Sequence, residues 1–184
     1  MKRILSLGFA LILLLALCSC GGNNSGNKAD NSNNSRKTSS NEEIVLNPPV
    51  TVINNEIGTL TITRFFNKLY NEGTEYEYWW SGFEVDVTNN MDDYYLNVWL
   101  NNVSLSDQRV IEFSKSASSD KVSSGKTAVF EFGRSDYNKF EKLDALYELE
   151  GFFVLNVSDD SHSYSNMGGN TPFSIAESMN KSTQ

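Results

Sequence analysis

The sequence predicts an all-β protein, an antiparallel two-sheet sandwich of about seven to eight short strands with one short helix. Three observations predict it. Apolar residues of the globular part recur with a period of two, not the ~3.6 of a helix. Turn formers punctuate them at Asn54-Asn55, Asn89-Asn90, Ser123-Ser124-Gly125, Asp159-Asp160 and Gly168-Gly169-Asn170. No cysteine follows Cys20, so the domain has neither disulfides nor thiolate chemistry and depends on an apolar core.

Two segments precede that core. Residues 1–19 read as a leader: Lys2 and Arg3, then an apolar run from Ile4 to Leu17 broken by Ser6 and Gly8. The run is too short for a comfortable membrane-spanning helix. It ends in Leu17-Cys18-Ser19-Cys20, which resembles the lipobox of bacterial lipoproteins, with small Ser19 before the acceptor. That resemblance implies a diacylglyceryl Cys20 as the mature N-terminus and a lipid anchor on the extracytoplasmic face of the cell membrane. Residues 20–42 carry the lipidated cysteine and an Asn/Ser/Gly-rich stretch that cannot bury enough apolar surface to order itself. As a flexible tether it reaches about 25 Å.

The globular domain is expected over residues 43–177. Its strands begin with Val50–Asn54, after the Asn47-Pro48-Pro49 stop. Gly58–Phe66 alternates through Leu60 and Ile62, and Gly82–Asn90 through Phe83, Val85 and Val87. Tyr94–Asn102 alternates through Leu96, Val98 and Leu100, and Gln108–Phe113 is a shorter candidate. Lys126–Gly133 follows with Ala128, Phe130 and Phe132; Leu149–Asp160 with Phe153, Leu155 and Val157; Thr171–Ile175 closes the set. The helix is expected from Ser135 to Leu146, capped by Ser135 or Asp136, with Tyr137, Phe140 and Leu143 on one face. A polar tail, 178–184, ends the chain.

Composition narrows the function. The net charge is −8, and −10 once Lys2 and Arg3 leave with the leader. Nucleic acid and anionic lipid should repel such a domain. Ser124-Gly125-Lys126-Thr127 imitates a phosphate-binding loop. That loop needs a glycine five residues before Gly125, where Asp120 stands, and a helix after it, where a strand is expected. The single histidine, His162, has no nucleophile signature around it. Asp159 and Asp160 could contribute to a calcium site, though the alternating acids and central glycine of a calcium loop are missing. No cofactor is expected, and the chain is not read as an enzyme. A carboxylate-dependent hydrolase remains an alternative, because acid pairs are a matter of spatial separation.

Five aromatics fall within eight positions: Tyr76, Tyr78, Trp79, Trp80 and Phe83. Alternation sends Trp79 and Phe83 to the core with Val85 and Val87, and Tyr76, Tyr78 and Trp80 outward with Glu84 and Asp86. If the next strand pairs through the turn at Asn89–Asp93, Val85 meets Leu96 and Phe83 meets Val98. Trp99 then covers Gly82, and Tyr95 lies opposite Asp86. Tyr78, Trp80, Tyr95 and Trp99 would form one aromatic face, a surface for stacking sugar or peptide. The alternatives are cover by the chain's own loops, cross-strand pairing that only stabilises the sheet, or a bulge at Ser81-Gly82 that turns Trp80 inward.

Two stretches, Phe83–Val98 and Ser123–Phe132, together with the lipobox and tether, resemble small Ig-like sandwich lipoproteins of Gram-positive bacteria related to the mycobacterial immunoprotective secreted antigen. The resemblance implies an Ig-like fold and an extracytoplasmic place, with no functional residues to carry over. The expectation is a non-enzymatic binding module for a cell-wall glycan or envelope protein, or else an accessory subunit of a membrane-associated complex.

Overall fold

The computed structural model describes residues 41–116, 121–159, 164–165 and 169–182. Among them run β1 (Glu42–Asn54), β2 (Gly58–Tyr70), β3 (Tyr78–Asn89), β4 (Tyr95–Ser104), β5 (Ser114–Lys115) and β6 (Thr127–Asp136). A 3-10 helix (Leu143–Glu148), β7 (Glu150–Ser158), β8 (Tyr164–Ser165), β9 (Asn170–Ser174) and helix α1 (Ile175–Ser182) follow. One sheet has the order β1-β2-β3-β6-β5, and the other pairs β4 with β7. The far edge of β7 pairs with β8 at Val157–Ser158 and with β9 at Glu150–Val154, so these two short strands form one interrupted edge. Taking β2, β3, β6 and β5 as strands A, B, E and D, and β4, β7 and β8/β9 as C, F and G, gives the two sheets of a constant-type immunoglobulin sandwich. β1 is added outside A. The protein is an all-β, Ig-like antiparallel sandwich.

The inward stripes are those that alternation picks out. Phe83, Val85, Val87, Phe130 and Phe132 of the first sheet are buried against Leu96, Val98, Phe153, Leu155 and Val157 of the second. Phe132 meets Phe153 edge-on across the interface, with ring centroids 5.8 Å apart. Each fully buried side chain of this kind contributes roughly 1.5–3 kcal/mol. A register shift between Ile62 and Arg64 of β2 reverses that strand's phase, so Ile62 and Phe65 both face inward. β3 passes Ser81-Gly82 with unbroken register against β6.

Several local expectations change. β1 does not begin after the two prolines but runs through them. Its pairing with β2 lapses between Val45 and Val50, which an edge strand tolerates. Gln108–Phe113 yields only a bridge from Val110 to Ser104. The segment after Ser135 is not helical: β6 continues to Asp136, Tyr137 is 86% exposed, and the 3-10 helix starts at Leu143. The reason is a clamp on Phe140, described below. The α-helix begins instead at the end of the expected last strand, at Ile175, and runs into the expected polar tail. Ser174 Oγ accepts the Glu177 N–H at 3.3 Å, an N-cap three residues before a glutamate. No helix among the described residues is long and apolar enough to cross a membrane.

The largest correction concerns β3 and β4, which do not pair. β3 lies between β2 and β6, and β4 belongs to the other sheet. Each carries a full apolar stripe, and those stripes face each other across the core. The buried Asn89 holds the crossing: its Nδ2 donates to the carbonyls of Tyr94 (2.8 Å) and Val122 (2.9 Å), and its Oδ1 accepts from Met91 N–H (3.0 Å).

Candidate functional site

With β3 and β4 in different sheets, the expected four-residue face divides in two. Tyr78 and Trp80 lie on the outer face of the first sheet, Tyr95 and Trp99 on that of the second. Trp99 stands opposite Val154, not Gly82. It is 46% exposed, with Lys115 Nζ 4.5 Å from a ring centroid and also donating to Asn97 Oδ1 at 2.7 Å. Lys121 lies over Tyr95 at 5.4 Å. Cations thus already occupy part of both rings.

Trp80 covers a glycine, but a different one from that expected. A Cβ on Gly133 would stand 2.7 Å from Trp80 Cε2, so the indole packs on the bare backbone of β6. Phe66 stands opposite Gly82 from the other side and is itself buried. Trp80 therefore belongs largely to the sheet, and is half-buried. Trp79, expected in the core, is also half-buried, because it lies at the sheet's end opposite Leu69 and Asp136.

Tyr78 leads to the feature with the most open aromatic surface. It stacks on Tyr70, centroids 5.3 Å apart and planes 9° from parallel. Beside it, a cleft of ≈ 590 Å³ is lined by Asn71, Glu75, Tyr76, Glu77, Tyr78, Ser135, Asp136 and Tyr137. Tyr76 is 71% exposed. The β2–β3 loop is built to present it. Asn71 and Gly73 take positive φ, 54° and 75°, where Asn is tolerated and Gly is at ease. Gly73 N–H then donates to Glu77 Oε2 (2.8 Å), Thr74 Oγ1 to the Asn71 carbonyl (2.8 Å), and Asn71 Nδ2 to the Tyr76 carbonyl (3.3 Å). The loop is tied within itself, so little of Tyr76's placement depends on a ligand.

Tyr137 is held from below. Asn67 and Ser81, polar residues on inward positions of β2 and β3, are fully buried. Phe140 N–H donates to Asn67 Oδ1 (3.2 Å) and Ser81 Oγ (3.3 Å), while Asn67 Nδ2 donates to the Phe140 carbonyl (3.0 Å). The Arg134 guanidinium lies 5.2 Å from the Phe140 ring. Nearby, Asn67 Nδ2 also donates to Glu42 Oε2, and Lys139 pairs with the same carboxylate. Lys139 and then Asn67 hold the Glu42 carboxyl below its ordinary range. With Phe140 fixed and Asn138 N–H bonded to Asp136 Oδ1 (3.2 Å), the intervening Tyr137 projects over the cleft. Tyr137 is expected on a helix face and Ser81 only at an alternative bulge, so neither they nor Asn67 are expected at the site. The signal for Tyr137 was its place between Asp136 and Asn138, both turn formers.

Other candidates fare differently. Glu84 and Glu131 face each other across β3 and β6, and both are ion-paired. Arg64 binds Glu84 at 2.6 Å and Glu43 at 3.2 Å, and Lys68 binds Glu131. Asp159 is exposed after β7, while Asp160, His162 and Cys20 lie outside the described residues. Gly125, at φ 62°, makes the turn in which Lys126 N–H meets the Ser123 carbonyl at 3.1 Å, and β6 follows directly.

Fold and cleft together define a class: a small Ig-like sandwich with an acidic, tyrosine-walled cleft at one end of a sheet. No protein-family model, curated protein or solved structure matches this chain.

Proposed function

We propose that this chain is a lipid-anchored, extracytoplasmic binding module of the bacterial cell envelope, without catalysis of its own. Recognition is assigned to the cleft walled by Tyr76, Tyr78 and Tyr137, and the ligand to a cell-wall glycan. The leader, the lipobox-like Leu17–Cys20 and the polar tether support the address. One observation carries the binding role: three tyrosines converge on one open cleft, two of them 71% and 86% exposed. A sheet needs no such side chains for stability. Contiguous exposed aromatic surface with polar tips is instead what stacking recognition uses.

The test is binding of solubilised wall glycan to the full chain, compared with Tyr76→Ala/Tyr137→Ala. Both residues are exposed, so each change should alter stability by no more than about 0.5 kcal/mol. Affinity should fall at least about tenfold, roughly 1.4 kcal/mol. Glycan binding that survives the double substitution, or a wild type that binds no wall material, would remove the proposal. Capture of one stoichiometric membrane protein without glycan would favour an accessory-subunit role.

A further inference from the structure

The chemistry of the cleft narrows its ligand. Its walls are the π-faces of Tyr76, Tyr78 and Tyr137, and its charged groups are Glu75, Glu77 and Asp136. No lysine or arginine lines it among the described residues. Two of the acids are held in place: Glu77 by Gly73 N–H, and Asp136 by Asn138 N–H and by Arg134 at 3.2 Å. Glu75 forms no ion pair among the described residues, so its charge stays uncompensated.

Hydrogen-bonding capacity points the same way. The side-chain donors of the lining are neutral: the phenol hydroxyls, Ser135, and Asn71 Nδ2, one of whose two N–H groups goes to the Tyr76 carbonyl. Carboxylates only accept. A phosphate, sulfate or carboxylate ligand would find repulsion from three acids and no cationic donor. A neutral sugar would find faces and hydrogen-bond partners but would leave the charge of Glu75 unmatched. A group that is positive, donates or merely spreads charge, and packs on aromatic faces satisfies every element of the wall. The net charge of −8 draws such a group inward.

We infer that the cleft takes an organic cation, an alkylammonium or quaternary ammonium group carried by the ligand, seated among Tyr76, Tyr78 and Tyr137 and balanced by Glu75 and Glu77. This inference rests on the reading of the cleft as the recognition site. The volume of ≈ 590 Å³ leaves room for part of whatever bears the cation.

The experiment is calorimetric titration of the full chain with three probes: choline, dimethylbutanol as its uncharged carbon isostere, and a neutral N-acetylglucosamine oligosaccharide. Choline should bind saturably and at least about fivefold more tightly than dimethylbutanol. Tyr137→Ala should weaken choline by about the same factor, and Glu75→Gln by about threefold, with the circular dichroism spectrum unchanged. Added salt should weaken choline alone. Equal binding of choline and dimethylbutanol would overturn the inference. Oligosaccharide binding that depends on Tyr137, without choline binding, would overturn the cation and leave the cleft as the site. If neither choline nor the oligosaccharide binds, the cation falls, and the reading of the cleft as recognition site falls with it if solubilised wall glycan also fails to bind.

Discussion

Gly82→Ala should be among the most damaging single-methyl additions to this protein, and Gly133→Ala, directly opposite it, should not. A Cβ on Gly82 would overlap the Phe132 carbonyl oxygen and stand 2.6 Å from Gly133 Cα and 2.8 Å from the Phe132 carbonyl carbon. All three atoms are backbone. None can swing aside, so β3 and β6 must part within their continuous pairing from Trp79 to Thr88. Overpacking of this kind costs about 1–3 kcal/mol. A disturbed ladder bond adds about 1 kcal/mol, and the lower entropy of the unfolded alanine chain returns roughly 0.4–1 kcal/mol. The net loss is about 1–3.5 kcal/mol, and contact with backbone alone puts it in the upper half of that range. A Cβ on Gly133 meets instead the Trp80 indole, at 2.7–3.0 Å, which can rotate away. That substitution should cost less than about 1 kcal/mol, with a red shift in Trp80 emission. Urea unfolding at constant slope gives both values from the midpoints. A Gly82→Ala loss no larger than that of Gly133→Ala would refute the close approach of the two strands and the packing of Trp80 on glycine.

Asn67→Ala removes the amide that bonds both backbone groups of Phe140, leaving its carbonyl unpaired in a part-buried site. Stability should drop by about 2 kcal/mol, amide exchange at Phe140 should quicken, and ligand binding through Tyr137 should weaken. Asp86→Asn should do the opposite for stability. Burial, and then the Glu84 carboxylate, push the Asp86 carboxyl above its ordinary range. A folded pKa above the unfolded one means that the folded chain holds the proton more tightly. Stability therefore falls as pH rises from the unfolded value to the folded one, and the whole penalty is present above it. Asn lacks that penalty, so the variant should gain up to about 0.5 kcal/mol at neutral pH. The gain should vanish in acid, below the unfolded value, and urea midpoints across pH check both limbs.

The two faces of β3 were legible because alternation is local: Phe83, Val85 and Val87 are all buried, with Glu84 and Asp86 on the other side. Which sheet a strand joins is not local. The Asn89 side chain that sends β4 across the core bonds the Val122 carbonyl, far along the chain. The Asn89–Asp93 turn therefore looked like a hairpin. Tyr137, Phe140 and Leu143 imitate a helical face by spacing alone, and buried Asn67 and Ser81 override it by holding the Phe140 backbone. The true helix start, Ser174-Ile175-Ala176-Glu177, carried a capping pattern. It was masked because Ile175 also continues the alternation of the preceding strand. Tyr78 was recognised as outward from its parity. Tyr76 shares that parity, but Tyr137 does not follow from it, since it comes beside Tyr78 only through the pairing of β3 with β6.

The most direct test of the cleft as recognition site is shift mapping on the isotope-labelled full chain during titration with choline and then with solubilised wall glycan. The account predicts that Asn71–Tyr78 and Ser135–Tyr137 move along one saturable course while the Trp99 indole and Tyr95 stay still. Shifts gathered on β4 around Trp99, or none in the cleft, would contradict it.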